Sequence, residues 1–437
     1  MRGAVAAAGG AAGRATQLLM HLLRIVTIWA VLVLPGRAQE TGVAAWRGTQ
    51  TASAAIAATS LRISGRDGLT QLVLTLSASA RVSVFTLGDP YRLILDLPLT
   101  SFRLPKPGPN TRRGLVKDFR FGRLGPDASR LVVDVAAPFK LVDVRAVRLN
   151  NGTSEVRLDL GAVGVRDFRP QGVPPKLPKA AALRRGLYEG DERAAAALLP
   201  PKPGKRPVVV VDPGHGGPDS GAVGHRGILE KMVVLAVARQ LAAALRATRR
   251  YKVVMTRARD EFVSLEDRVA ISQSVAADLF ISLHADAIPQ GRLGGTVRGA
   301  TVYTLSQRAS DRQSQEFAEK ENSSDALAGL KIASSAARGR VEAILFDLMR
   351  RETSMFSQRL REHLVRRLKR AISMAREPRR AAAFRVLQQP ETPSVLIELG
   401  YMSNPADVRE MTKSRWQRSA ARAIVAATNA YFDSQKR

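Results

Sequence analysis

The feature that most constrains this chain is a run of four valines followed by a glycine-rich loop, in residues 208–221. Four consecutive β-branched residues predict a strand buried on both faces, and the run ends at Asp212-Pro213. Glycines at positions 214, 216 and 217 then let the backbone turn tightly around one imidazole, His215. A polar ring on a loop at the end of a buried strand is typical of a functional site. The alternative is a turn that happens to contain a histidine.

A second histidine occurs in a matching context. The chain has five histidines, and His284 directly follows Leu279–Leu283, another short apolar run. In an open α/β sheet, ligands bind beyond the carboxyl ends of the strands. Two histidines placed there by two strands can therefore share one metal ion.

A third candidate ligand is Glu230, in the first turn of a helix predicted from about Leu229 to Ala247. The apolar stripe that predicts this helix consists of Val234, Val237, Leu241 and Leu245. Two histidines and one glutamate with an open fourth position form a ligand set of catalytic zinc rather than of a closed structural site.

A further carboxylate, Glu398, ends the predicted strand Ser394–Ile397. A carboxylate beside a catalytic metal site is what general-base catalysis needs. Glu398 is therefore the candidate base, and it precedes a short polar run, Leu399–Asn404.

Together these residues resemble the zinc-dependent N-acetylmuramoyl-L-alanine amidases that split bacterial cell wall. The matching blocks are DPGHGG at 212–217, the Glu230-Lys231 helix start, SLHAD at 282–286 and IELGYMSN at 397–404. They occur in the family's order and span most of residues 207–434. Tyr401 stands where the family usually has phenylalanine, which leaves the resemblance intact.

The resemblance implies zinc bound by His215, Glu230 and His284, with Glu398 as the catalytic carboxylate. The implied reaction is hydrolysis of the amide bond between N-acetylmuramic acid and the L-alanine of the peptidoglycan stem peptide, in daughter-cell separation. The residues alone equally permit a zinc carboxypeptidase acting on wall peptides. A catalytically silent wall-binding regulator is a third hypothesis, but it predicts the loss of a ligand or of the glutamate at 398, and all four are present.

Residues 59–165 alternate apolar and other residues with period two, which indicates strands separated by turns. The alternating sets are Leu72, Leu74 and Leu76; Leu93, Leu95 and Leu97; Leu131, Val133 and Val135; and Val156, Leu158 and Leu160. This pattern predicts a small all-β sandwich of seven to nine strands. It resembles the AMIN domain, which accompanies these amidases and is implicated in placing them on the wall at the division site.

Residues 1–38 have the features of an export signal. The apolar run Ile25–Leu34 is too short to span a bilayer, and Pro35–Ala38 supplies small residues for cleavage. An uncleaved membrane anchor is the alternative. Because the segment before Met20 is long and alanine-rich, we expect Met20 to be the true start. The sequence thus predicts a periplasmic protein without a stable membrane anchor.

The composition narrows the possible partners. The chain has no cysteine, which excludes disulfides and thiolate metal sites. Its formal net charge of +30 favours adhesion to polyanions. However, no nucleic-acid-binding module is visible and aromatic residues are scarce, so we predict no specific nucleic-acid partner. The expected partner is peptidoglycan.

A proline-rich stretch, 166–206, is predicted to link the two domains.

The predicted catalytic domain is a mixed α/β sheet flanked by helices. Further strands are predicted at Tyr251–Arg257 and Gly299–Leu305, and a helix at Ser264–Ala277. A stripe in the long helical region is predicted to be core, formed by Phe356, Leu360, Leu364, Leu368 and Ile372. His225 and His363 are predicted to lie outside the metal site.

The segment from about 306 to 375 is predicted to be a helical insertion, with Ser310 capping a helix that runs through Asn322. In family members controlled by an activator protein, a helix here resembles a plug and its glutamate completes the zinc shell. The matching residue is Glu321, and a surface helix with an exposed glutamate is the alternative. An activator would bind this insertion, for which 343–348 offers apolar residues that could instead pack into the core.

Overall fold

The computed structural model describes residues 56–66, 68–105, 112–125, 127–172, 206–288, 297–329 and 340–435, with the side chains of Arg66, Leu327 and 340–351 left out. The predicted export signal, Met20, most of the predicted linker and the side chains of 343–348 lie outside the described residues. Within the described parts, no helix is both long and apolar enough to cross a membrane.

The N-terminal part of the described chain is all β, as predicted. Its strands are β1 (Ile56–Arg66), β2 (Leu69–Leu76), β3 (Ser83–Leu87), β4 (Arg92–Pro98), β5 (Thr100–Phe102), β6 (Val116–Arg123), β7 (Ala128–Val135), β8 (Phe139–Arg148) and β9 (Ser154–Ala162). They form a five-stranded sheet of order β5-β1-β2-β9-β8 and a four-stranded sheet of order β3-β4-β7-β6. Apart from β5, which runs parallel to β1, the paired strands are antiparallel.

The alternating residues of these strands form the core of the β domain. Leu72, Leu74 and Leu76 are completely buried. The segment that follows β9 stays attached to this domain up to Gln171. The Gln171 backbone N–H donates to Thr86 Oγ1 at 2.8 Å, and its side-chain oxygen accepts from the Leu141 N–H at 2.6 Å. The β domain therefore includes several residues of the predicted linker.

The second part of the chain is built on a six-stranded sheet. Its strands are β10 (Val208–Pro213), β11 (Lys252–Met255), β12 (Leu279–His284), β13 (Ala300–Leu305), β14 (Met374–Ala382) and β15 (Ser394–Glu398). Their order is β11-β10-β12-β15-β13-β14. β10, β11, β12 and β15 are parallel, whereas β13 is antiparallel to β15, so the sheet is mixed, as predicted.

Helices cover both faces of this sheet. They are α1 (Glu230–Ala247), α2 (Leu265–Ser274), α3 (Arg312–Asn322), α4 (Ser324–Leu327), α5 (Arg340–Leu368), α6 (Pro405–Met411) and α7 (Ser414–Ser434). The valine run explains the two faces: Val209 and Val211 pack with α1, α5 and α7, while Val210 packs with Phe317 of α3 on the other side. The stripe ending at Ile372 lies in the first of these two cores, as predicted.

Two details of the helical insertion differ from the sequence prediction. The helix α5 ends at Leu368, and residues 374–382 form the edge strand β14 instead of continuing the helical region to about 375. The N-cap of α3 is Asp311, whose side chain accepts from the Ser314 N–H at 2.7 Å. The expected cap, Ser310, instead accepts from the Ala381 N–H of β14 at 2.8 Å. The sequence analysis did not predict the strand β14. It therefore could not predict the hydrogen bond between β14 and the Ser310 hydroxyl.

Candidate metal centre

The three predicted metal ligands come together at the carboxyl ends of the central strands. His215 follows β10, His284 is the last residue of β12, and Glu230 is the first residue of α1. One ligand atom from each lies within 4.8 Å of the others, and all three residues are buried. Among the described residues, this is the one cluster of three or more such side chains close enough to hold a metal ion.

The geometry of these side chains suits a metal ion. Glu230 Oε1 lies 3.1 Å from His215 Nε2 and 3.4 Å from His284 Nδ1, and the two imidazole rings are 4.9 Å apart. Within the described chain, neither of those two ring nitrogens makes a hydrogen bond of normal geometry. Two buried imidazole nitrogens that face one carboxylate without hydrogen-bond donors between them match the donor set of zinc.

Glycine makes room for this cluster at two positions. A Cβ on Gly214 would lie 2.3 Å from the His284 ring, and a Cβ on Gly221 would lie 2.7 Å from both Glu230 Oε2 and the His215 ring. Any larger residue at either position would therefore displace a ligand. The glycine-rich loop singled out in the sequence is needed for close approach as well as for turning.

The carboxylate of Glu230 is fixed by backbone donors. Its Oε2 accepts from the Ala222 N–H at 2.8 Å, and its Oε1 accepts from the Ala285 N–H at 2.7 Å. These bonds tie the start of α1 to the glycine loop and to the end of β12. Glu230 is therefore held in one orientation toward both histidines.

His215 is held by two residues that the sequence reasoning did not identify. Its Nδ1 lies 2.9 Å from Asp219 Oδ2, so the carboxylate fixes the ring and directs Nε2 toward the cluster. The backbone of His215 has a φ of 58°, a conformation that is unfavourable for a residue with a side chain. Arg268 of α2 donates to the His215 carbonyl at 2.8 Å and to Asp212 Oδ1 at 2.6 Å, and so holds the loop in this conformation.

Glu398 lies beside the metal ligands through strand pairing. It is the residue of β15 opposite His284 in the parallel ladder, and its Oε2 accepts from the Asp286 N–H at 2.9 Å. Its Oε1 has no hydrogen-bond partner among the described residues. Burial raises the pKa of Glu398, the His284 ring lowers it, and Asp286 and Glu230 raise it, so that the net shift is well upward. A carboxyl with a raised pKa suits proton transfer near neutral pH.

The electrostatic field of the cluster is strongly negative. Burial lowers the pKa of His215, but Asp219, Glu230 and Glu321 raise it by more, so that the net shift is well upward. Burial and the His215 ring lower the pKa of His284, but Glu321 and Glu230 raise it by more, to about 10. A potential that favours positive charge on two adjacent imidazoles also favours a divalent cation, whose binding would release those protons.

The predicted plug residue, Glu321, reaches the same cluster. Its Oε2 lies 3.1 Å from His284 Nδ1 and 3.5 Å from His215 Nε2. Glu321 is buried, unlike the exposed glutamate of the alternative hypothesis, because the last turn of α3 faces the ligands. The preceding residue, Lys320, forms an ion pair with Asp286, two residues after His284. The helix is thus joined to the ligand cluster by two adjacent side chains.

The other two histidines in the described chain lie away from the cluster. His225 is exposed, in a short turn after the glycine loop, and His363 is half-buried on α5. Both placements agree with the prediction that neither is a ligand.

Comparisons with known proteins identify the family to which this chain belongs. The model of the family described as N-acetylmuramoyl-L-alanine amidase matches residues 209–430, and the AMIN domain model matches residues 60–160. The N-acetylmuramoyl-L-alanine amidase AmiC of Neisseria meningitidis serogroup B is 30% identical, over 86% of this chain and 90% of the relative. The amidase AmiA of Escherichia coli is 37% identical, over 54% of this chain and 80% of the relative. The solved structure of the amidase AmiC2 of Nostoc punctiforme is 27% identical, covering 52% of this chain and 98% of that one with a TM-score of 0.38.

The chain therefore belongs to the N-acetylmuramoyl-L-alanine amidase family, with an AMIN domain ahead of the catalytic domain. Its reaction is hydrolysis of the amide bond between N-acetylmuramic acid and the L-alanine of the peptidoglycan stem peptide. The comparisons favour neither the carboxypeptidase nor the silent regulator.

Proposed function

We propose that this amidase depends on zinc held by His215, Glu230 and His284, and that it acts on peptidoglycan in the periplasm during daughter-cell separation. The observation that carries the proposal is the convergence of these three buried side chains, at strand and helix ends, beside Glu398. The periplasmic location is supported by the AMIN domain and by the export-signal features of the sequence.

Zinc, when bound, would supply Lewis acidity toward the attacking water and the scissile carbonyl. The protein's own contribution is to position groups and to move a proton. Glu398 takes a proton from the attacking water through Oε1, which has no hydrogen-bond partner in the described parts of the chain, and delivers it to the amine of L-alanine as the amide C–N bond breaks. The Asp286 N–H holds Oε2 of the same carboxylate, so that Oε1 is the oxygen free to act. Once it holds that proton, the same carboxyl can serve as the acid.

Glu321 closes this site. Its carboxylate faces the same two histidine nitrogens as Glu230 does, so it takes the position that water needs. A resting state in which substrate water is excluded would protect the wall from uncontrolled hydrolysis. For the enzyme to act, α3 must move away and carry Glu321 with it.

Opening requires a partner with differential affinity, because a ligand shifts a conformational equilibrium only by binding one state better. We propose an activator protein that binds the helical insertion in its displaced form. The helix α5 begins at Arg340, close in sequence to the inhibitory segment. It includes residues 343–348, the apolar stretch that we expect to contact the activator.

Digestion of purified peptidoglycan tests the reaction. Zinc-loaded protein carrying Glu321→Ala, in which the site is expected to be open, is incubated with purified wall, and the released fragments are identified by mass. The proposal predicts whole stem peptides with a free L-alanine amine. Release of single terminal amino acids would instead indicate a carboxypeptidase, and the absence of any fragment from a folded, zinc-loaded sample would contradict the proposal.

A further inference from the structure

The inhibitory segment does not end at Glu321. It continues through α4 to Ala328 and Gly329, which contact the N-terminal β domain. Arg130 of β7 donates through Nη1 to the carbonyl oxygens of both Ala328 and Gly329, each at 3.1 Å. Carbonyls at the end of a helical turn have no partner within the turn, so a guanidinium here satisfies two of them.

Arg130 is a rigid support rather than a mobile surface arginine. Its side chain is 1% exposed, and it donates to both carboxylate oxygens of Asp96, at 2.6 and 2.8 Å. Its guanidinium also lies over the Phe85 ring, 5.5 Å from the ring centre. A planar guanidinium held on one side by a bidentate carboxylate presents its remaining donor in a fixed direction.

The contact is close as well as polar. Gly329 has a φ of 81°, and a Cβ added there would lie 2.6 Å from the end of the Ile94 side chain. Ile94 belongs to β4 and is completely buried. The β domain therefore closely surrounds Gly329.

A second contact joins the β domain to the metal loop. The Arg123 carbonyl, at the end of β6, accepts from the Phe262 N–H at 3.0 Å. A Cβ on Gly122 would lie 2.2 Å from the backbone of Gly217, two residues after His215. The same 262–265 stretch is held from the other side by Asp325 of α4, whose carboxylate accepts from the Leu265 N–H at 2.9 Å.

We infer that the β domain, besides any binding to the wall, keeps the amidase closed by supporting the inhibitory segment through Arg130. The inference rests on the proposed role of Glu321. Glu321 and Gly329 lie eight residues apart on one segment: Glu321 contacts the predicted ligands, and Gly329 contacts Arg130 of the β domain. Separation of the β domain from Gly329 breaks these contacts and favours the displaced state of α3. Events at the β domain are thereby coupled to opening of the metal site.

The substitution Gly329→Val tests the coupling without replacing a predicted metal ligand or any residue of the β domain. A β-branched residue at this φ, facing Ile94, should weaken docking of the segment by roughly five- to thirtyfold. The matched control is Gly125→Val, on the β domain, where a Cβ would meet nothing within 4 Å. Amide hydrogen exchange of 312–322 and basal hydrolysis of purified wall are measured on the full chain. Both should rise by about tenfold in Gly329→Val and stay at the parent level in the control.

A second variant approaches the contact from the β domain. Arg130→Lys keeps the positive charge beside Asp96 but removes the forked donors, so it should speed exchange in α3 in the same way. Unchanged exchange of 312–322 in folded samples of both variants would overturn the inference. The proposed role of Glu321 fails separately: faster exchange without any rise in hydrolysis, in these variants and in Glu321→Ala, would uphold the coupling and reject the plug.

Discussion

Lys320 on α3 and Asp286, two residues after the predicted ligand His284, form an ion pair, and the Asp286 carboxylate is completely buried. The pair joins α3 to the end of β12, which carries the predicted metal ligand His284, next to the contact made by Glu321. If the cation is removed, the buried carboxylate keeps an unpaired charge. This unpaired charge destabilises the closed state, in which the carboxylate is buried.

The substitution Lys320→Ala should therefore favour the displaced state of α3. We expect basal wall hydrolysis to rise by at least about fivefold, which corresponds to the lower end of the roughly 1–3 kcal/mol lost when a buried polar group is unsatisfied. The matched control is Arg312→Ala, at the other end of the same helix, whose ion pair with Glu316 is exposed. Equal basal rates in the two variants would mean that the Lys320 pair does not hold the helix.

The ligand assignment predicts the zinc content of two variants. His215→Ala and His284→Ala each remove one of three ligands and should lose stoichiometric zinc. His225→Ala is the control, because His225 is exposed and lies outside the cluster. Elemental analysis of dialysed protein measures the outcome, and a full complement of zinc in either ligand variant would refute the assignment.

Glu398 is expected to act on the proton rather than on the metal. Glu398→Gln keeps the shape of the side chain and can still accept from the Asp286 N–H, but it removes the base. The variant should retain zinc and fold while its turnover falls by about a hundredfold or more. The comparison is best made in the Glu321→Ala background, where the site is open. Turnover close to that of this background would exclude general-base catalysis by Glu398.

Arg268 is expected to position His215 without touching the metal. It donates to the His215 carbonyl and pairs with the buried Asp212, so Arg268→Lys keeps the charge but cannot make all of these bonds. The zinc affinity should fall by about ten- to a hundredfold, in the range found for residues that orient metal ligands. Arg239→Lys, at an exposed arginine that donates to the Ala258 carbonyl, is the control. If a zinc titration of folded Arg268→Lys shows the affinity of the parent, Arg268 does not position His215.

The strands and the ligand cluster could be predicted because their signals are local. The valine run and Leu279–Leu283 are buried on both faces, so apolar composition alone indicates central strands. A histidine lies at or just beyond the end of each strand, His284 as the last residue of β12 and His215 two residues after β10, and parallel strands bring such ends together. Glu230 and Glu398 were likewise predicted from a helix start and a strand end, whereas Glu321 was predicted from the resemblance to a known family, because its role depends on a contact between distant segments.

The strand β14 and the contacts of Arg130 could not be predicted in the same way. β14 is an edge strand with several charged side chains and a proline, so it lacks an alternating apolar pattern. Arg130 lies within an ordinary alternating strand, and its partners Ala328 and Gly329 are almost two hundred residues away. Asp219 had a detectable signal, since it follows His215 by four residues in the same loop, whereas Arg268 had none.

The central claim is that a zinc site made by His215, Glu230 and His284 is closed by Glu321. Its most direct test measures zinc content and basal hydrolysis of purified wall on the same samples of the parent, Glu321→Ala and Glu319→Ala. Glu319 is the matched control, because it is an exposed glutamate two residues earlier on the same helix. We predict one zinc ion per chain in all three proteins and a basal rate that rises only in Glu321→Ala. A basal rate in zinc-loaded, folded Glu321→Ala equal to that of the parent would contradict the claim.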